Sequence, residues 1–305
     1  MFHTGKGEGE MEKNNRIFKG ILVLALILIL AGSGSIYYFR LDAPVFFPHY
    51  YDLRVQRDDM YAENLVLKYV TNAYDTREVT AAQFLELPEV MLFASEREEA
   101  IFSWESQEKG VPGEIHGRYS VRKVYVRNLS IPEEIQVDGK VIRNLKVQFD
   151  DGSEMTVDIG ELHLYEPQRR EEESPYEHVS SSGSSDGTSL TVYRMLEELT
   201  LTETKSPLAD KLKGRLDWRI DEKLPEEAVG HVYGERSLLN VSSEVLPGED
   251  SMDAYAVFDV HPQLTFMDGE GKRFTQRFYN MRSQAENYSF SGLRAFIRER
   301  GRRDE

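Results

Sequence analysis

The sequence contains no cysteine. That excludes a disulfide framework, a thiolate-ligated zinc or iron–sulfur site and a cysteine nucleophile. Cations are scarce beside anions: 37 Lys and Arg stand against 53 Asp and Glu, a formal net charge of −16 and a pI near 5.0. A nucleic-acid binder needs the opposite balance, because its affinity rests on neutralising phosphates. There is no P-loop, no G-x-G-x-x-G turn, no H-E-x-x-H helix and no G-x-S-x-G elbow. The sequence signatures of nucleotide binding, zincin chemistry and serine hydrolysis are therefore missing. Hydrophobic residues still make up 40% of the chain, enough to bury packed cores and to exclude wholesale disorder.

Charge is absent from one stretch in particular. Between Lys19 and Arg40 lie 20 uncharged residues, Gly20 to Phe39. At 1.5 Å per residue a helix of this length reaches about 30 Å, the hydrocarbon thickness of a bilayer. Ile21 to Leu30 is unbroken aliphatic, Ala31-Gly32-Ser33-Gly34-Ser35 is weaker, and Ile36-Tyr37-Tyr38-Phe39 supplies an interfacial aromatic belt. Lys13, Arg16 and Lys19 flank the near side and only Arg40 the far side, which orients the N-terminus to the cytoplasm. A cleaved signal peptide is the rival reading, with Ile21 to Leu30 as its apolar region and Ala31-Gly32-Ser33 at the cleavage site. The aromatic belt and the uncharged length favour a retained signal anchor. Lys6, Lys13, Arg16 and Lys19 outweigh Glu8, Glu10 and Glu12 by one charge, which leaves −17 on residues 40–305. A single-pass membrane protein with a soluble, acidic extracellular part is expected, in the manner of a Gram-positive cell envelope.

Beyond the anchor the signals are β. Glu63–Val70 and Tyr119–Val126 have strand composition. Leu145, Val147 and Phe149 alternate with polar residues, Asp150-Asp151-Gly152-Ser153 makes a turn, and Met155, Val157 and Ile159 alternate on the return. This is a hairpin signature. Leu264–Met267, Asp268-Gly269-Glu270-Gly271 and Phe274–Tyr279 form a second one, and Ser189–Tyr193, Leu199–Thr204 and Leu216–Ile220 are further strand candidates. Thr80–Leu87 suits either two helical turns or a strand, and Phe46–Tyr51 either a first strand or a segment in the outer headgroup layer. Leu293, Phe296 and Ile297 predict a short amphipathic helix near the C-terminus.

The expected organisation is mainly β: one N-terminal transmembrane helix followed by two β-sandwich-like extracytoplasmic domains. Residues 1–19 form a short cytoplasmic segment, 20–39 the transmembrane helix and 40–166 a membrane-proximal β domain. Residues 167–188, within the charge- and Ser/Gly-rich run Glu166–Thr188, read as a linker or loop. Residues 189–305 form a second β domain ending in the short helix.

Chemistry is harder to find. Glu114-x-His116 and Glu161-x-His163 place a carboxylate and an imidazole on one face of a strand, but no spacing supplies a third metal ligand. The acidic hairpin turns offer oxygen ligands without a calcium-loop pattern, and Asp and Gly are what such turns demand. Ser106-x-x-Lys109 and Ser120-x-x-Lys123 lack the partners of penicillin-recognising enzymes. Trp104 beside Phe102 reads as core before sugar platform. The four arginines of Arg298–Arg303 suit the end of a helix, or an anionic lipid or wall polymer. No catalytic, cofactor or metal residue is therefore assigned. The expected function is a non-catalytic binding or interaction module of the bacterial cell envelope. Its expected partners are the lipid bilayer, through residues 20–39, and an envelope or membrane protein, with no nucleic acid. The alternative is an exported hydrolase whose Asp/Glu or metal-dependent site assembles from dispersed residues.

Overall fold

The computed structural model describes residues 7–55, 65–90, 92–97, 113–127, 131, 134–166, 174–248, 251–279, 281–283 and 287–303. Trp104 and the Ser106/Lys109 pair lie outside the described residues. The chain forms two compact units, Met1–Ala43 and Pro44–Glu305.

The first unit is one helix, α1 (Gly7–Phe39). Its stretch Phe18–Phe39 is long and apolar enough to cross a membrane. Phe18 and every Ile, Leu and Val from Ile21 to Leu30 are more than half exposed, so the helix is apolar all round and lacks the single apolar stripe of a globular surface helix.

The second unit is mainly β and built from several curled sheets. Its largest sheet begins with β1 (Val45–Phe46), β2 (His49–Arg54), β3 (Leu65–Asn72), β4 (Val79–Phe84), β5 (Leu92–Ser95), β6 (Glu114–His116), β7 (Tyr119–Arg127), β8 (Val141–Phe149) and β9 (Glu154–Tyr165). Phe46–Tyr51 thus enters the sheet, and Thr80–Phe84 is strand. The alternation explains the second outcome, since Ala82 and Phe84 are buried while Ala81 and Gln83 are part-exposed. The expected hairpin is β8–β9, with Gly152 at a φ of 81° in its turn, a conformation that favours glycine.

The order β1-β3-β7-β5-β4-β8-β9-β2 brings the sheet back onto itself. β1 and β2 are one stretch of chain broken only at Phe47-Pro48, yet β1 pairs with β3 and β2 with β9. The reason is local, because Pro48 has no N–H to continue the ladder. Past it, side chains seal the seam. The Lys68 N–H donates to His49 Nε2 at 2.8 Å, and the Tyr51 hydroxyl donates to the Val66 carbonyl at 2.9 Å.

The remaining elements are β10 (Tyr176–Gly183), β11 (Thr188–Met195), β12 (Leu199–Lys205), α2 (Pro207–Lys211), β13 (Leu216–Ile220), α3 (Pro225–Ala228), β14 (Val232–Tyr233), β15 (Leu238–Val245), α4 (Ser251–Ala254), β16 (Val257–Val260), β17 (Gln263–Met267), β18 (Arg273–Arg277), β19 (Met281–Ser283) and α5 (Phe290–Arg303). Two antiparallel four-stranded sheets, β10-β11-β15-β13 and β14-β12-β17-β18, share one apolar core. Tyr193, Met195, Leu239 and Val241 enter it from the first sheet, and Leu199, Leu201, Leu264 and Phe266 from the second. Residues Tyr176–Gly183, inside the segment read as linker or loop, are a strand of that first sheet. The larger sheet draws strands from both sides of the 167–188 segment: β16 lies parallel to β2, β19 pairs with β16, and Phe258, Val260 and Met281 join the shared core. Helix α5 is amphipathic as expected, with Leu293 and Phe296 fully buried and Phe296 packed edge-on to Phe47 at 5.0 Å between ring centroids.

Candidate functional site

Three adjacent strands, β9, β2 and β16, run parallel, and the other pairings among the described strands are antiparallel. Register partners in parallel strands present their side chains to the same face. The pairs Tyr50↔Glu161, Asp52↔His163 and Arg54↔Tyr165 therefore gather tyrosine, acid, imidazole and guanidinium on one surface. Where β9 and β16 end, Tyr165 and His261 meet: the phenol oxygen lies 3.0 Å from His261 Nδ1. His261 Nε2 lies 3.1 Å from Asp259 Oδ1, and the His261 backbone N–H donates to Asp52 at 2.8 Å.

Arg277, on β18, stacks its guanidinium 4.0 Å from the Tyr165 ring centroid and donates to the His261 carbonyl at 3.1 Å. Tyr279 packs its ring against His261 at 4.6 Å between centroids. Burial pushes the Asp52 carboxyl up, against the opposing bond from the His261 amide. Burial and the bond with Tyr279 also push the Tyr165 phenol above its ordinary value. The His261–Tyr165 contact is thus enclosed, with Asp52, Tyr165 and His261 buried and Asp259 partly exposed.

The face that carries Tyr50 and Asp52 opens toward Glu161. Its carboxylate accepts from Lys211 at 2.6 Å, lies 3.3 Å from His163 Nε2, and pairs with Arg143 at 3.1 Å. Lys211 is placed by α2, which starts at the Ser206 N-cap with Pro207 in the first helical position. Lys211 also lies 5.6 Å from the Tyr50 ring centroid. Burial works to raise the Glu161 carboxyl, and the bonds from Lys211 and His163 outweigh it and hold the group below the usual range. Glu161 is a junction of donors. Lys211 and Arg143 are about half exposed and form the open rim.

The Glu161-x-His163 and Glu114-x-His116 pairs do form, the second at 3.5 Å on β6. Among the described residues no three His, Asp or Glu side chains come together as a metal-ligand set. The acidic turns use their carboxylates internally: Asp151 accepts the N–H and hydroxyl of Ser153, and Asp268 accepts the N–H groups of Glu270 and Lys272. On β7, Ser120 is buried and Lys123 exposed, as a spacing of three on a strand requires. From the arginine-rich tail, Arg300 is buried and donates to the Asp158 carbonyl at 2.7 Å.

No protein-family model matches the chain, and no curated protein matches it. Among solved structures it is similar to a protein of unknown function from Porphyromonas gingivalis W83, at 12% identity and a TM-score of 0.22, over 77% of this chain and 94% of that one. It is also similar to the D00-D0 domain of intimin, at 6% identity and a TM-score of 0.23, over 78% of this chain and 98% of that one.

Sequence reasoning missed Asp52, Tyr165, Asp259 and His261 as a group. The available signal was weak: Asp52 interrupts an apolar and aromatic run, and His261-Pro262 follows a short apolar strand. Nothing in either segment announces a parallel neighbour.

Proposed function

We propose that this protein is a single-pass, membrane-anchored extracytoplasmic module that binds a partner and carries out no chemistry of its own. One observation carries the membrane half of the reading: α1 exposes apolar side chains on every side across Phe18–Leu30, within a stretch long and apolar enough to cross a membrane. Such a surface is costly in water and favourable in hydrocarbon, at about 25 cal/mol per Å². The flanking charges put the N-terminus in the cytoplasm and residues 40–305 outside, as a signal anchor of the cell envelope.

The binding half is supported by the state of the polar groups. An acid–base catalyst needs a carboxylate or imidazole with a lone pair or proton facing substrate. Glu161 is engaged by three donors, and His261 is buried against the Tyr279 ring with both ring nitrogens bonded. The rim of Arg143, Lys211 and His163 around Glu161 is the surface we assign to a partner protein or wall polymer of the envelope.

Intact cells treated with external protease, followed by alkaline extraction of the membranes, test the reading. The expected result is cleavage within 40–305 from outside and retention of the residual α1 fragment in the membrane pellet. Full protection from external protease, or release by alkaline extraction, refutes it.

A further inference from the structure

A sheet edge left open invites another strand, and proteins blunt such edges by shortness, by cover or by charge. Among the described residues, the outer strands use those devices with one exception. β14 has two residues, and β6 and β19 have three each. β13 is covered, because α2 and α3 pack against it and the Ile220 N–H is bonded to Lys223. β18 is framed by Arg273 and Arg277. β10 is different: eight residues long, paired among the described strands with β11 alone, and exposed from Glu177 to Gly183.

Val179-Ser180-Ser181-Ser182-Gly183 carries no charge and no proline. Glu177, the one charged residue of the strand, is already paired with Arg194 at 2.6 Å. The orientation of the backbone groups follows from the turn. The Ser184 N–H donates to the Thr188 carbonyl, and bonded pairs alternate along an antiparallel ladder. Ser182 and Ser180 therefore bond inward to β11, while Ser181 and Gly183 turn their N–H and C=O groups to the open edge.

We propose that this edge pairs with the same edge of a second copy of the chain, antiparallel about a two-fold axis at Ser181. Self-pairing suits this segment. Ser181 meets Ser181, Ser180 meets Ser182 and Val179 meets Gly183, so no like charges and no bulky side chains oppose one another. The bulge between His178 and Ser180 ends the regular run on one side. A lone strand pair buries less than the roughly 1,200–2,000 Å² of a stable interface. The association is accordingly weak in solution and relies on both copies sharing one membrane plane. To that extent it rests on the anchoring proposed above.

The absence of native cysteine makes the test direct. Ser181→Cys introduces a single thiol, and bonded antiparallel partners have Cα atoms about 5.5 Å apart, within disulfide range. Full-length protein is reconstituted alone in vesicles and oxidised. We expect Ser181→Cys to form a disulfide dimer at least about tenfold faster than Gly269→Cys in the exposed β17–β18 turn. Adding Ser180→Lys and Ser182→Lys, which then face each other across the axis, lowers the Ser181→Cys rate to that of Gly269→Cys. Equal rates for the two cysteine variants, or indifference to the lysines, overturn the proposal. Vesicle flotation reads the anchor separately. A chain that does not float refutes the anchoring, and the same rate ratio measured in concentrated solution still decides the pairing.

Discussion

His49 Nε2 accepts the backbone N–H of Lys68 across the seam of the large sheet, at 2.8 Å. An imidazole that accepts there is neutral, with its proton on Nδ1. Burial pushes the His49 pKa down to about 3. The seam therefore closes only around an uncharged histidine.

A pH dependence follows from that bond. Below about 6.5 the unfolded chain takes up a proton at His49 that the folded chain refuses until about pH 3. The stability it contributes is complete above pH 6.5 and falls, at up to about 1.4 kcal/mol per pH unit, as pH drops through that window. In His49→Gln the amide oxygen can still accept from Lys68. Its urea midpoint is expected to vary less between pH 6.5 and 4 than that of the parent.

The buried ion pair of Arg122 and Glu96 makes a second test. The Glu96 carboxylate accepts from the Tyr69 hydroxyl at 2.5 Å and from the Val79 N–H at 2.7 Å, and Arg122 lies 3.5 Å away, bonded also to the Arg77 and Asp75 carbonyls. Arg122→Met leaves a buried carboxylate uncompensated and is expected to cost about 3–5 kcal/mol in urea unfolding. Adding Glu96→Gln recovers part of that loss.

Gly160 adopts a φ of 97°, and a Cβ there would collide with the His49 carbonyl oxygen. Both the conformation and the parallel contact of β9 with β2 demand glycine. Gly160→Ala is expected to lose about 2–4 kcal/mol. Gly139→Ala, also at positive φ but with open space around it, loses less. Thermal melts of the two variants compare clash plus strain with strain alone.

Helix α5 closes over the aromatic cluster of Phe47, Tyr255 and Phe296. Phe296→Ala is expected to cost about 3–5 kcal/mol. Hydrogen exchange in α5 should rise more than in β11, whose Tyr193 and Met195 pack in the core shared by the two four-stranded sheets.

Within α1, Leu26→Arg places a charge mid-span. It is expected to raise the cost of insertion by about 3 kcal/mol and to shift protein from the alkali-resistant membrane fraction to the soluble one.

Much of the local structure was legible. The β8–β9 and β17–β18 hairpins follow from alternation around Asp/Gly turns, and α5 from Leu293 and Phe296. Tyr176–Gly183 reads as linker because serine and glycine bury little, yet an edge strand needs only backbone partners. Of the candidate site, Glu161 and His163 were visible as a strand pair. Lys211 and Arg143 were not, because neither has any periodic relation to Glu161 in sequence.

The amino-acid order alone determines the apolar helix, the β class of the rest and the principal turns, because these depend on neighbours within a few residues. Tertiary structure decides that the large sheet closes through the Phe47-Pro48 break, that β16 and β19 join it, and that Tyr165 meets His261. Those contacts join segments up to about two hundred residues apart, as between His261 and Asp52. Pairing at such separations is selected by which edges and faces are left unfilled once the local elements exist, and a period of two or of 3.6 carries no record of it.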